Sequence, residues 1–185
     1  MNLAIAEHGG IETWAWKDSW AEGEKDKFVK NYFLPYMNVV KYCNGKTQKE
    51  CFGGDVNYTW LNGNNWNNQN VNTFPRAMLA DGVVVEFYFP RSCFTKKNKC
   101  MDFIIDINGS KNKPNRAGKD TFLFSLYPQT GEFLPLGVYK DNSYNEETGT
   151  FERLTSSKID ECCVSGGSCC AAKIINDGFK INYDW

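Results

Sequence analysis

Eight cysteines in a chain of 185 residues constrain this sequence more than any other feature, because they sit close together in pairs. Cys43 is followed by Cys51, Cys93 by Cys100, and Cys162-Cys163 by Cys169-Cys170. An even number of thiols at short spacings suits disulfides that close small loops, and such bonds persist only in an oxidising compartment. The rival reading is a zinc site built from the last four. Zinc sites favour C-x-x-C knuckles, and adjacent cysteines are poorly shaped to chelate one ion. Local pairing is therefore expected, with the pairing inside the last four left open by the sequence. The length allows one domain with a proper core.

Between the second and third cysteine groups lies Met101–Tyr127, where apolar and polar residues alternate on both sides of a polar loop. Alternation predicts half-buried strands, with Met101, Phe103, Ile105 and Ile107 on one face and Phe122, Phe124 and Leu126 on one face after the loop. Upstream, Phe74–Ala80, Asp81-Gly82 and Val83–Phe89 read as a hairpin, since Asp-Gly between apolar runs is a strong turn signal. Glu132–Leu136 reads as a further short strand, so the strands form a meander. Asn2–Glu7 reads as a helix stopped at Gly9-Gly10. Ser19-Trp-Ala-Glu22 fits a capping box ahead of a helix over Glu24–Phe33, with Phe28, Val29, Tyr32 and Phe33 on its buried face and an Asp26–Lys30 pair. Pro35 ends or bends it. Trp14, Trp16 and Trp20 are expected to pack the first helix against the domain. Cys43–Cys51 is read as a small polar loop, Cys162–Cys170 as a tight turn, Ala171–Asn176 as a short helix, and Phe179–Trp185 as an aromatic anchor.

A net charge of -1 and a pI near 5.9 offer nothing to attract nucleic acid. Catalysis has little to draw on. His8 is the only histidine and stands at a helix end, and Asp102 and Asp106, four apart on a strand, point to one side, with Asp102 read as a solvent-facing residue. Gly53-Gly54 and Gly166-Gly167 lack the lysine and helix of a phosphate loop. The best candidate for site chemistry is calcium, a hard cation that takes oxygen ligands, held by Asp106, Asn108, Asn115 and Asp120. Against it, two carboxylates are few, Lys111, Lys113 and Lys119 oppose a cation, and Asx-type bonds to the loop's own backbone account for the same residues. Trp60 and Trp66 with the asparagines of Asn62–Asn70 suggest a second, different role as a glycan-binding surface, or simply a surface loop with one anchoring tryptophan.

Several stretches together resemble the globular domain of type IV pilin-like proteins, which include the pseudopilins of type II secretion. They are Leu3-Ala-Ile-Ala-Glu-His-Gly9, Phe28–Cys43 with its Pro-Tyr-Met, Leu79-Ala-Asp-Gly82, then Asp106-Ile-Asn-Gly109 with Pro114-Asn115 and Gly118-Lys-Asp120-Thr-Phe122, and Cys170–Ile181. The resemblance implies an α+β fold over residues 1–185, an N-terminal helix packed on an antiparallel β-sheet meander with disulfide-tied loops. It implies a non-enzymatic minor pilin or pseudopilin, part of a bacterial surface filament or secretion apparatus in the cell envelope. Some pseudopilins carry calcium in a loop of this domain. Family members also bear an apolar N-terminal helix that anchors them in the inner membrane and joins neighbouring subunits in the filament core. This sequence shows no such segment, so residues 1–10 are expected to be the remnant of that longer helix.

Overall fold

The computed structural model describes residues 1–21, 23–53, 57–66 and 74–183. Its centre is a six-stranded antiparallel sheet in simple meander order: β1 (Val39–Cys43), β2 (Arg76–Leu79), β3 (Val84–Tyr88), β4 (Met101–Asp106), β5 (Thr121–Tyr127) and β6 (Glu132–Pro135). The hairpin expected at Asp81-Gly82 joins β2 to β3, and Phe103 pairs with both Phe87 and Phe124 across the sheet. Strand β4 stops at Asp106, so Ile107 does not continue its apolar face and is 51% exposed.

One face of the sheet carries the apolar core. Ala77, Val85, Phe87, Met101, Phe103 and Leu126 lie in one cluster with Ala4 of α1 (Asn2–His8), with Phe28 and Val29 of α2 (Glu24–Tyr32), and with Trp14 and Phe33. Gly9 ends α1 at φ 81°, and its carbonyl accepts the Trp14 indole N–H at 3.0 Å, which fixes the chain's exit from the helix. His8 holds α1 to the segment after α2 through a 2.8 Å bond to the Tyr36 hydroxyl. The Asp26–Lys30 pair forms as expected. The N-cap of α2 is Gly23, which has no side-chain cap bond; Glu24 instead accepts from the Ala21 N–H. Ser19 therefore does not cap this helix, and Glu22 of the proposed box lies outside the described residues.

The second face is polar and buried. Arg76, Glu86, Asp102, Asp106, Thr121 and Ser125 are each at most 6% exposed, because loops and helices that the sequence reading left unassigned cover them. Residues 39–43 form β1. Within the Cys43–Cys51 loop, α3 (Gln48–Phe52) begins at a complete capping box between Thr47 and Glu50. Cys162 and Cys163 are not in a turn but on α4 (Ser156–Gly166), which a left-handed Gly167 ends before α5 (Cys170–Asn176). All four disulfides join near neighbours: Cys43–Cys51, Cys93–Cys100, Cys162–Cys169 and Cys163–Cys170. The last two are pressed against glycines. A Cβ on Gly118 would come within 2.7 Å of Cys170 Sγ, and one on Gly137 would strike Cys169 Sγ. After α5, Phe179 is not an anchor but 79% exposed. Tyr183 is the anchor, donating its hydroxyl to the Gly118 carbonyl at 2.5 Å, and Trp185 lies outside the described residues.

Arg76 and Glu86 form the ion pair at the middle of this second face. Arg76 Nε and its terminal nitrogen stand 2.7 and 2.6 Å from Glu86 Oε2, and a third guanidinium nitrogen donates to the Lys46 carbonyl at 2.8 Å. Removing one partner strands a buried charge, whereas removing both does not. Glu86→Leu is therefore expected to lower unfolding free energy by about 3–5 kcal/mol, and Arg76→Met with Glu86→Leu to restore most of it, as read by urea denaturation.

Candidate functional site

The loop between β4 and β5 brings Asp106, Asn108, Asn115 and Asp120 together. Asp106 is 2% and Asp120 4% exposed. Asp106 ends β4 beside Thr121, its partner on β5. Its Oδ1 accepts the backbone N–H groups of Gly109 at 2.9 Å and Asn108 at 3.3 Å, so the chain reverses around its carboxylate. Its Oδ2 accepts the Tyr58 hydroxyl at 2.6 Å, and Gln48 of α3 donates to that hydroxyl at 2.8 Å. Asp120 organises the other end of the loop. Its two oxygens accept from the Asn115 N–H at 2.8 Å, the Arg116 N–H at 2.6 Å and the Asn108 amide at 3.2 Å. Asn115 takes a left-handed backbone at φ 51° and donates its side-chain amide to the Ser110 carbonyl at 3.1 Å.

These are Asx-type bonds, and they account for the motif as loop architecture. They do not account for all of it. Asn108 Oδ1, Asn115 Oδ1 and Ser110 Oγ are buried and have no donor, although buried oxygens are normally satisfied. Burial raises the Asp106 carboxyl above its usual range, with the charge of Asp120 acting the same way. Burial and that carboxylate push the Tyr58 phenol upward as well, so it stays a donor. The donor set is all oxygen, which suits a hard cation and not zinc. Lys111 and Lys113 are exposed.

Asp102 corrects the sequence reading: it is buried at 6% exposure rather than solvent-facing. Ser125, directly opposite on β5, donates to its Oδ1 at 2.5 Å, and Lys99 Nζ is 3.4 Å from its Oδ2. It shares a sheet face with Asp106 but belongs to a separate cluster. Four residues of strand separate the two by roughly 13 Å, too far for a working carboxylate pair. Trp60 and Trp66 stack on each other with centroids 4.2 Å apart, and Tyr58 meets Trp66 edge-on. Asn62 and Asn64 shape the turn between the two tryptophans, while residues 67–70 of the asparagine-rich loop lie outside the described residues. Tyr58, Gln48 and Ser110 escaped the sequence reading. The Thr47-x-x-Glu50 capping signal could have pointed to α3 and hence to Gln48; nothing local marks Tyr58 as the partner of a residue 48 positions away.

Asp102 gives a stability test with a definite sign. Its folded carboxyl is raised above the ordinary 3.8, chiefly by burial, against the opposing pull of Lys99 and Ser125. A raised folded value means the folded chain holds this proton more tightly than the unfolded one. Its contribution is present below the ordinary aspartate range and is lost as pH rises through the folded value. Asp102→Asn keeps an acceptor for Ser125 and cannot titrate, so its stability should fall less than wild type between about pH 4 and pH 7, measured by urea denaturation at each pH. Parallel curves would show that Asp102 does not carry this dependence.

No protein-family model matches this chain, and no curated protein or solved structure is similar to it.

Proposed function

We propose that the chain is the globular part of a minor pilin or pseudopilin, a structural subunit of a bacterial surface filament or type II secretion apparatus. The observation that carries this reading is the placement of α1. Ala4 is buried in the same cluster as the apolar face of a six-stranded antiparallel meander, with Met1 and Ile5 against it. Such subunits lay an N-terminal helix on one face of a meander whose loops disulfides close, and the burial of Ala4 in this cluster supports the same arrangement here. The four disulfides indicate an oxidising compartment outside the cytosol, and no helix among the described residues is long and apolar enough to cross a membrane. The work of the subunit is then assembly: an apolar helix continuous with α1 packs against neighbouring subunits, after holding the chain in the inner membrane, and the loops present the outer surface.

The reading frame upstream of Met1 tests this directly. A short basic leader followed by about 20 apolar residues is the expected result, with the protein recovered in sheared filaments or cross-linked to other subunits of the apparatus. A secretory signal peptide cleaved just before Met1 would overturn the reading. In that case the second reading, a secreted glycan-binding module, rests on the stacked Trp60–Trp66 pair, and a glycan array with a Trp66→Ala control decides it.

Calcium in the β4–β5 loop is part of the same proposal. Asp106 and Asp120 would share the ion with Asn108 Oδ1, Asn115 Oδ1 and Ser110 Oγ, the three oxygens without donors. A bound ion neutralises two buried carboxylates and ties the loop to the sheet. Thermal melting should show a midpoint several degrees higher in millimolar calcium than in chelator, since an ion that binds only the folded chain stabilises it. An unchanged midpoint would mean that the Asx-type bonds suffice.

A further inference from the structure

Lys25, on the first turn of α2, is a cation without a counter-ion among the described residues. Its Nζ lies 6.0 Å from the centre of the Phe74 ring and 5.9 Å from that of Phe89. Of the acids near it in sequence, Glu24 is engaged with Lys17 and Asp26 with Lys30 and the Tyr42 hydroxyl, while Glu22 lies outside the described residues. Burial and the positive charge of Arg91 both push the Lys25 ammonium below its usual range, with no carboxylate among the described residues countering them. Other lysines withdrawn from solvent are treated differently. Lys99 has Asp102 and Asp141 within 4.0 Å, and Lys173 has Asp160 and Asp177 at 2.7 and 2.9 Å.

Lys25 opens onto a pocket of about 350 Å³ whose walls include Trp20, Asp26, Asn44, Phe74 and Pro75. That volume is at the small end of ligand sites. The indole N–H of Trp20 is buried and has no acceptor among the described residues. Two rings near 6 Å compensate a desolvated ammonium only weakly, by about 0.5–2 kcal/mol, and a second cation nearby works against them. An anion is what the charge pattern of the described residues lacks. The aromatic and proline walls favour an anion with an apolar body over a small hydrated ion, and Asp26, already held by Lys30 and Tyr42, is not free to act as the partner.

We propose that this pocket binds an organic carboxylate with an apolar or aromatic body, the carboxylate on Lys25 Nζ and the body against Phe74, Pro75 and Trp20. Lys25 supplies the charge contact, the positive charge of Arg91 acting on Lys25 adds attraction, and the ring walls distinguish the ligand from acetate-sized acids. This does not depend on the filament reading, because it concerns the chain in isolation.

The test is a titration of the ¹⁵N-labelled chain followed by NMR, with phenylacetate as probe. Benzyl alcohol supplies the ring without the charge, and acetate the charge without the ring. Phenylacetate should bind saturably, about tenfold tighter than either control, and should move the indole N–H signal of Trp20 ahead of those of the other tryptophans. Lys25→Met should weaken phenylacetate by about tenfold or more while leaving benzyl alcohol unchanged, and Lys25→Arg should retain binding. Equal binding of phenylacetate and benzyl alcohol, undiminished affinity in Lys25→Met, or shifts centred away from Trp20 would each overturn the proposal. Should Lys25→Met fail to fold, the comparison of the three probes on the wild-type chain decides the matter.

Discussion

A charge buried against a sheet must find partners, and on this sheet the strands supply only some of them. Glu86, Asp102 and Asp106 all project from the same face, the one that the aromatic core does not use. Each draws a different part of the chain over itself. Glu86 engages Arg76, which in turn reaches the Lys46 carbonyl in the first disulfide loop. Asp102 takes Ser125 and Lys99, next to the second. Asp106 takes Tyr58, with Gln48 behind it. The loops are irregular in backbone but specific in position, because leaving any of these carboxylates unpaired would cost several kcal/mol. The apolar face is more forgiving. Its aromatic rings meet at many angles, and no single contact there dictates where a distant loop must lie.

The disulfides act on a different scale. Each closes a loop of seven or eight residues, so none ties distant parts of the chain together. They stiffen local segments that the core does not reach. Cys43–Cys51 clamps α3 beside β1, next to the residues that meet Arg76 and Tyr58. Cys162–Cys169 and Cys163–Cys170 lock α4 to α5 at their shared turn, and the sulfurs rest where Gly118 and Gly137 leave room. Small loops and small cross-links thus support charge contacts that are themselves long-range.

Much of the fold was legible in the sequence, and the parts that were not share a cause. Alternation and Asp-Gly located β2 to β5, and Gly9 and Pro35 marked the ends of α1 and α2. Alternation assumes, however, that polar strand residues face water, so Asp102 was placed outside when a second layer covers it. The same blind spot hid α3 and α4, whose short amphipathic patterns were masked by cysteines that suggested turns. Only Ile159 and Cys163 of α4 are buried, too few to give a helical signal. The β4–β5 loop was legible as a unit, since Asp106, Asn108, Asn115 and Asp120 do converge. Tyr58, which donates to Asp106, was not, because a hydrogen bond between distant residues leaves no local pattern.

The two edges of the sheet share a property with consequences for crowding. Strand β1 carries an irregularity between Val39 and Lys41, and β6 ends in Pro135. A kinked edge and a proline edge are poor templates for a new strand. Chains brought side by side at high local concentration therefore have no ready way to extend one sheet into the next. Contact between copies has to be made by side chains on the faces and loops, where it can be specific and reversible, rather than by backbone pairing that any sequence could join.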